Sequence, residues 1–102
     1  MKKKQDGCLE DAQLQKEILK HLEADKYRLT KHGDEALKDD DLDLNDALHV
    51  LKNGKHNHKK TEFSNKRQTW HYAIEGITKD LKKVRVIIAF VGVMLIITAM
   101  EL

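Results

Sequence analysis

Hydrophobic residues in the first quarter of the chain recur at helical spacing. Leu14, Ile18 and Leu22 follow one another every four residues between charged positions. This spacing predicts an amphipathic helix from Leu9 to about Ala24. Residues 27–29 follow as a short extended link, whose apolar side chains can pack on this helix.

Polar residues mark the ends of two further helices. Thr30 is placed to cap a short helix from Lys31 to about Lys38. Asp43 is placed to cap the next one, in which residues 44, 47, 48 and 51 are apolar, and Asn53-Gly54 is predicted to stop it in a left-handed conformation.

After Gly54 the period changes to two, which is typical of β-strands. Residues 55–63 form a weak polar strand or hairpin arm, and residues 69–77 alternate, with Trp70, Tyr72 and Ile74 on one face. Residues 84–90 and 94–100 form two apolar strands that turn at Gly92. The pattern predicts an α+β fold in which about three helices pack on one face of a four-stranded antiparallel meander.

The length of 102 residues allows one domain, and we assign residues 1–102 to it, with residues 1–8 outside the ordered fold. The lysines at positions 2–4 precede no apolar stretch, so we expect no secretory signal. A single cysteine, Cys8, excludes an intrachain disulfide and favours a cytoplasmic protein.

Residues 86–100 form an apolar run of 15, which is the one membrane candidate. The run is shorter than a transmembrane helix needs and contains Gly92 together with many β-branched residues. We therefore expect two buried strands and no membrane association.

The net charge of +2 conceals an asymmetry between the two halves. Residues 1–50 carry nine basic and thirteen acidic side chains, and residues 51–102 carry ten and four. Either the basic half binds an anionic partner or the two halves complement each other within the fold.

Several short motifs occur in a familiar order. Residues 27–33 read YRLTKHG, residues 40–46 read DDLDLND, and residues 72–76 read YAIEG, followed by VRVI at 84–87. This ordered set resembles a large bacterial family of uncharacterised domains that is similar to the RelE, BrnT and MqsR toxins. The resemblance covers about residues 10–100, and it departs from the family at Gly33, where Ala is usual, and at Ala36, where some relatives carry Arg.

The resemblance implies a RelE- or barnase-like fold and a toxin of a toxin–antitoxin pair that cleaves RNA without a metal. Such cleavage needs a base, an acid and cations around the phosphate. His71 and Arg85 lie on strands predicted to be neighbours and would clasp one phosphate if they stand opposite each other. Thr69 or Thr98 could add a hydroxyl donor, and the resemblance makes His32 a second acid or base, although packing against the sheet is an equal alternative for His32.

Basic residues on the sheet half are the expected contacts to the RNA backbone. They are Lys59, Lys60, Lys66, Arg67, Lys82 and Lys83. His56 and His58 form an H-x-H pair, but no cysteine or nearby carboxylate in the sequence completes a ligand set, so we predict no metal and no cofactor.

The expected partners are RNA and a cognate antitoxin protein that covers the same face or a sheet edge. The alternative is a non-catalytic module that binds RNA or a protein on the same scaffold, which the Ala at position 36 favours. The sequence leaves the oligomeric state open.

Overall fold

The computed structural model describes residues 7–102 of the chain. Over this range the protein is an α+β fold with three α-helices and six β-strands. The helices are α1 (Asp11–Glu23), α2 (Lys31–Asp39) and α3 (Leu44–Asn53). The strands are β1 (Tyr27–Leu29), β2 (Lys55–His56), β3 (Glu62–Ser64), β4 (Thr69–Ile77), β5 (Lys83–Val91) and β6 (Val93–Glu101), with one 3₁₀ turn at His58–Lys60.

The caps predicted for α2 and α3 are confirmed. The Gly33 N–H donates to Thr30 Oγ1 at 3.0 Å, which satisfies an amide at the open end of α2. At α3 the Asp46 N–H donates to Asp43 Oδ1, and the Asp43 N–H donates to Asp46 Oδ2, so the two residues cap each other reciprocally. These bonds fix where both helices begin.

The predicted left-handed stop at Gly54 is wrong. Gly54 is extended, with φ −85° and ψ −172°, so a positive φ is not the reason for a glycine here. A Cβ at this position would lie 2.5 Å from the carbonyl oxygen of Glu75 and 2.6 Å from that of Val50. Glycine is needed because α3 and β4 approach each other too closely for a side chain.

The four-stranded antiparallel meander is also wrong, because the sheet is larger and mixed. Its order is β1-β6-β5-β4-β2, and β3 pairs with β4 as well. The neighbours β4, β5 and β6 are antiparallel, as predicted, whereas β1 runs parallel to β6. The link at residues 27–29 is therefore an edge strand, bracketed by bonds from Met94 N–H to Lys26 O and from Thr30 N–H to Ile96 O.

The weak polar strand expected at residues 55–63 is divided into three parts. β2 pairs with β4 at Ile74 and Glu75, the 3₁₀ turn follows, and β3 pairs with β4 from Thr69 to His71. Asn57 ends β2 because its side chain accepts from the Lys60 N–H and caps the 3₁₀ turn. This stretch therefore runs, for most of its length, along the edge of β4 that is opposite β5.

All three helices cover one face of the sheet, as predicted. Leu14 and Ile18 of α1, Leu37 of α2 and Val50 of α3 are buried in one cluster. From the sheet this cluster takes the side chains of Tyr72, Ile74, Val84, Val86, Ile88, Met94, Ile96 and Ala99. We call the sheet face that the helices cover the inner face, and we call the opposite face of the sheet the outer face.

The outer face carries a smaller apolar cluster of its own. Ala89, Leu95 and Ile97 are buried there, with Ile87 and Val93 packed around them. A bulge between Ile87 and Ile88 lets β5 and β6 stay paired along their whole length. The apolar run 86–100 forms these two strands, joined at Gly92 with φ +77°, and within residues 7–102 we find no helix with the length and hydropathy to span a membrane.

Candidate functional site

His71 and Arg85 do not stand opposite each other, contrary to the expectation. Glu75 is the residue opposite Arg85, and Tyr72 is opposite Ile88. His71 and Glu75 are four residues apart on β4, so His71 lies about 13 Å along the sheet from the Arg85 position. The pair cannot clasp one phosphate in this arrangement.

Arg85 is already paired with another residue, and His71 is partly buried. Arg85 Nε donates to Glu75 Oε2 at 2.7 Å, and Arg85 Nη1 lies 3.9 Å from the sulfur of Met100. His71 pairs in register with Glu62 on β3, and its Nε2 is buried without a hydrogen-bond partner among residues 7–102. Burial lowers the pKa of His71 from its ordinary value of 6.5, and the positive charge of Arg67 lowers it further.

His32 and Thr98 come together, but in acidic surroundings. Both line a shallow cavity of about 240 Å³ between α2 and β6, together with Ala36. Glu35, Asp39 and Asp40 line the same cavity. Three carboxylates repel a phosphate, so this cavity does not suit RNA. Thr69 lies at the other end of the sheet, paired with Ser64.

The predicted RNA-binding residues fall into two groups along β4. Lys59, Lys60, Lys66 and Arg67 lie beside the edge of β4 opposite β5 and are exposed. Lys82 and Lys83 lie where β5 begins, next to Ile77, and Lys82 Nζ donates to the backbone oxygen of Asp41 at 3.3 Å. The nine-residue strand places its first residue, beside Lys66 and Arg67, about 26 Å from its last, whereas Lys59 and Lys60 lie beside the middle of the strand.

The first group belongs to a continuous stretch, residues 55–67, which we call the basic segment. It carries five cationic side chains, all exposed, against the single carboxylate of Glu62. None of the five forms an ion pair with a carboxylate of residues 7–102. Lys55 completes the five.

A group of polar side chains lies at the basic segment. The sequence alone does not predict that these side chains come together. Asp11, at the start of α1, lies beside His56 and His58, which are 45 and 47 positions further along the chain. Asp11 Oδ1 is 2.9 Å from His56 Nδ1 and 2.8 Å from His58 Nε2. We call Asp11, His56, His58 and Thr61 the histidine cluster, since His56 Nε2 is also 2.7 Å from Thr61 Oγ1.

This arrangement corrects the statement that no carboxylate accompanies the H-x-H pair. The two histidines were visible in the sequence, but Asp11 reaches them only because α1 packs beside the β2 end of the sheet. The hydrogen bond from His56 is the main reason why the pKa of Asp11 is below its ordinary value. Asp11 is therefore ionised at neutral pH.

The two rings differ sharply in their access to solvent. The His56 side chain is 4% exposed and contacts Tyr72 edge-on, with centroids 5.8 Å apart. The His58 side chain is 66% exposed, and its ring lies 4.0 Å from that of His56. A cavity of about 490 Å³ opens over this side, lined by Cys8, Leu9, Glu10, Asp11, Ala12 and His58.

Trp70 and Tyr72, the two aromatic residues of β4, lie on the inner face. Tyr72 is 3% exposed, and its hydroxyl donates to Gly7 O at 3.2 Å while accepting from the Leu9 N–H at 2.9 Å. Residues 7–9 are thus held against Tyr72, while residues 1–6 of the stretch predicted to lie outside the fold are beyond the described residues. Trp70 packs edge-on against Phe63 and joins the core.

Comparison with known proteins gives one match. Residues 29–101 match the family model described as a domain of unknown function, DUF4258. No curated protein and no solved structure matches the chain. The match runs from the last residue of β1 to the end of β6, well over half of the sequence, and the chain therefore belongs to the DUF4258 family.

Proposed function

We propose that this protein binds RNA through the phosphate backbone, along the basic segment. The observation that supports the proposal is the set of five exposed cations on residues 55–67 that have no carboxylate partner among residues 7–102. Unpaired cations at one sheet edge create a positive potential that attracts a polyanion.

The distribution of the acidic residues also favours binding of RNA at the basic segment. Seven carboxylates lie on α2, on α3 and in the connection between them, from Asp34 to Asp46. Their separation from the basic segment makes the protein electrically polar. A polyanion would approach from the β4 edge and be repelled from the α2–α3 side.

The contacts favour the sugar–phosphate backbone over the bases. Tyr72 is buried, and Trp70 is packed against Phe63, so neither presents an open ring face to a base. Lysine contacts to phosphate carry no sequence information. The proposal is therefore for binding with little sequence preference and a strong dependence on salt.

The experiment compares two variants with the same change in charge. One replaces Lys59, Lys60, Lys66 and Arg67 with Gln, and the control replaces the exposed Lys16, Lys20, Lys26 and Lys31 with Gln. Fluorescence anisotropy with a labelled single-stranded RNA should show a loss in affinity of about tenfold or more in the first and less than about threefold in the control. Equal losses would show that only net charge matters and would contradict the proposal.

A second candidate is an endoribonuclease that acts as the toxin of a toxin–antitoxin pair. The observation in its favour is the exposed imidazole of His58 within the basic segment, because imidazole can accept and donate protons near neutral pH. The separation of His71, Arg85 and His32 in the fold removes the arrangement first expected for cleavage. An antitoxin would cover the basic segment with an acidic surface.

Incubation of RNA with the protein in the presence of EDTA separates the two candidates. Cleavage that persists with the chelator and is lost in His58→Ala would support the endoribonuclease. The variants His71→Ala, His32→Ala and Arg85→Ala test the residues that the sequence singled out. Binding without turnover would support the RNA-binding module. If expression of the protein arrests growth, a neighbouring gene that relieves the arrest would identify the antitoxin.

A further inference from the structure

We propose that Asp11, His56 and His58 form a binding site for a divalent transition metal ion, with Zn²⁺ as the best-suited ion. One ligand atom from each residue, Asp11 Oδ1, His56 Nδ1 and His58 Nε2, lies within 4.8 Å of the other two. Two imidazoles and a carboxylate are the donor set typical of zinc sites that keep a fourth position open. This inference goes beyond RNA binding, because it concerns a different ligand.

The contacts of Thr61 show how His56 can present Nδ1 to a metal ion. The Thr61 oxygen accepts from the Ala73 N–H at 3.0 Å and lies 3.0 Å from the backbone oxygen of Asn57 and 2.7 Å from His56 Nε2. When the Thr61 hydroxyl donates its proton to Asn57, His56 Nε2 donates to the Thr61 oxygen, and the neutral ring keeps a lone pair on Nδ1.

The same nitrogen lies 2.9 Å from Asp11 Oδ1. In the metal-free protein a proton on Nδ1 joins the ring to this carboxylate, and a metal ion would take the place of that proton. His56 Nε2 would then donate to Thr61. Metal-bound histidines almost always donate their other nitrogen in this way, which fixes the ring and its tautomer.

The site can expand to the size that a metal requires. Zinc–nitrogen bonds of about 2.0–2.1 Å in a tetrahedral site place the ligand atoms roughly 3.3 Å apart. The present separations from Asp11 Oδ1 are 2.9 and 2.8 Å, so the ligands must open by about half an ångström around the ion. Asp11 and His58 have side chains that are 65% and 66% exposed and can make this movement, while His56 stays fixed.

The fourth position faces the cavity of about 490 Å³ described above. Water can reach the ion from there, and Cys8 lines the same cavity beside Asp11 and His58. A bound ion would also link the first residue of α1 to the last residue of β2 and the first residue of the 3₁₀ turn. The site is thus accessible to solvent on one side and anchored by the fold on the other.

Titration of the tag-free full chain with Co²⁺ and Zn²⁺ tests the proposal without any RNA. We expect one equivalent of Co²⁺ to produce the visible absorption bands of a tetrahedral complex, and Zn²⁺ to displace it. His58→Ala and Asp11→Asn should each weaken the affinity for Zn²⁺ by about 100-fold or more, because each removes one of the three ligands, and both side chains are exposed. His49→Ala, which removes a histidine of α3, is the matched control and should bind as the wild type does.

Two further variants examine the surroundings of the ion. Thr61→Val should weaken binding by about 10–100-fold, because it removes the acceptor that orients His56. Cys8→Ser should shift the cobalt spectrum only if the thiolate is the fourth ligand, and an unchanged spectrum would assign that position to water. The proposal is overturned if no one-to-one binding is observed at millimolar metal, or if His58→Ala and Asp11→Asn both bind as tightly as His49→Ala.

Discussion

Glu75 stands directly opposite Arg85 in the sheet, and its Oε2 accepts a hydrogen bond of 2.7 Å from Arg85 Nε. Asn57 Nδ2 donates to the same oxygen at 2.7 Å. This carboxylate therefore neutralises the arginine expected to hold a phosphate and joins β2, β4 and β5 across the outer face. These bonds lower the pKa of Glu75, with the Arg85 contribution the largest.

A double-mutant cycle on this pair should show coupling. We expect Glu75→Ala and Arg85→Ala to be non-additive by about 1 kcal/mol in urea unfolding, since the side chains are 27% and 19% exposed and only partly screened. Glu75→Ala alone should lower the free energy of unfolding more than Arg85→Ala alone, because it also leaves Asn57 Nδ2 without its acceptor. Additive effects would mean that the bond contributes nothing to the free energy of unfolding.

Gly33 is a second position at which the structure predicts how a substitution changes stability. A Cβ there would lie 2.5 Å from the carbonyl oxygen of Ile96, inside the sheet that α2 packs against. Gly33→Ala should therefore lower the free energy of unfolding by about 1–3 kcal/mol, even though alanine favours a helix over glycine by roughly 1 kcal/mol. Thermal and urea unfolding measure the change. An increase in stability would show that α2 can move away from β6 at no cost.

His71 should make stability depend on pH in a defined window. Burial favours its neutral form, so its pKa is lower in the folded than in the unfolded protein. Below about pH 6.5 the unfolded chain takes up a proton that the folded chain resists, and stability falls with falling pH until the folded pKa is passed.

The measurement is the thermal midpoint of the wild type and His71→Gln between pH 7.5 and 5.5. The thermal midpoint of the wild type should fall more on acidification than that of the variant, since the variant lacks the titrating ring. Arg67 and Glu62 act on His71 in opposite directions and are present in both proteins. Parallel curves for the two proteins would contradict the assignment, and His49→Gln serves as the control for losing a histidine elsewhere.

Much of the fold could be read from local pattern. The nine-residue strands β4, β5 and β6 give enough alternations to show which side chains face the core, and Thr30 and Asp43 mark helix starts by their chemistry. β1 was missed because three residues show no period and its partner, β6, lies more than sixty positions away.

The site could not be read in the same way. Alternation shows the face of a residue but not its partner across the sheet, so Arg85 was matched with His71 although Glu75 is opposite. The histidine cluster depends on Asp11 meeting His56 across 45 positions, which follows from helix packing and leaves no mark in the spacing of the chain. The charge asymmetry was visible in the sequence, and residues 55–67 carry five of the ten basic side chains in its second half.

If the basic segment binds the phosphates of RNA, the affinity must depend on salt concentration in a way that the number of cations determines. For single strands each phosphate neutralised contributes about −0.7 to the slope of log K against log salt concentration. Five cations on the segment predict a slope of roughly −3.5 for the wild type, falling to about −0.7 when Lys59, Lys60, Lys66 and Arg67 are replaced with Gln. A slope near zero, or one that the four substitutions leave unchanged, would contradict the account.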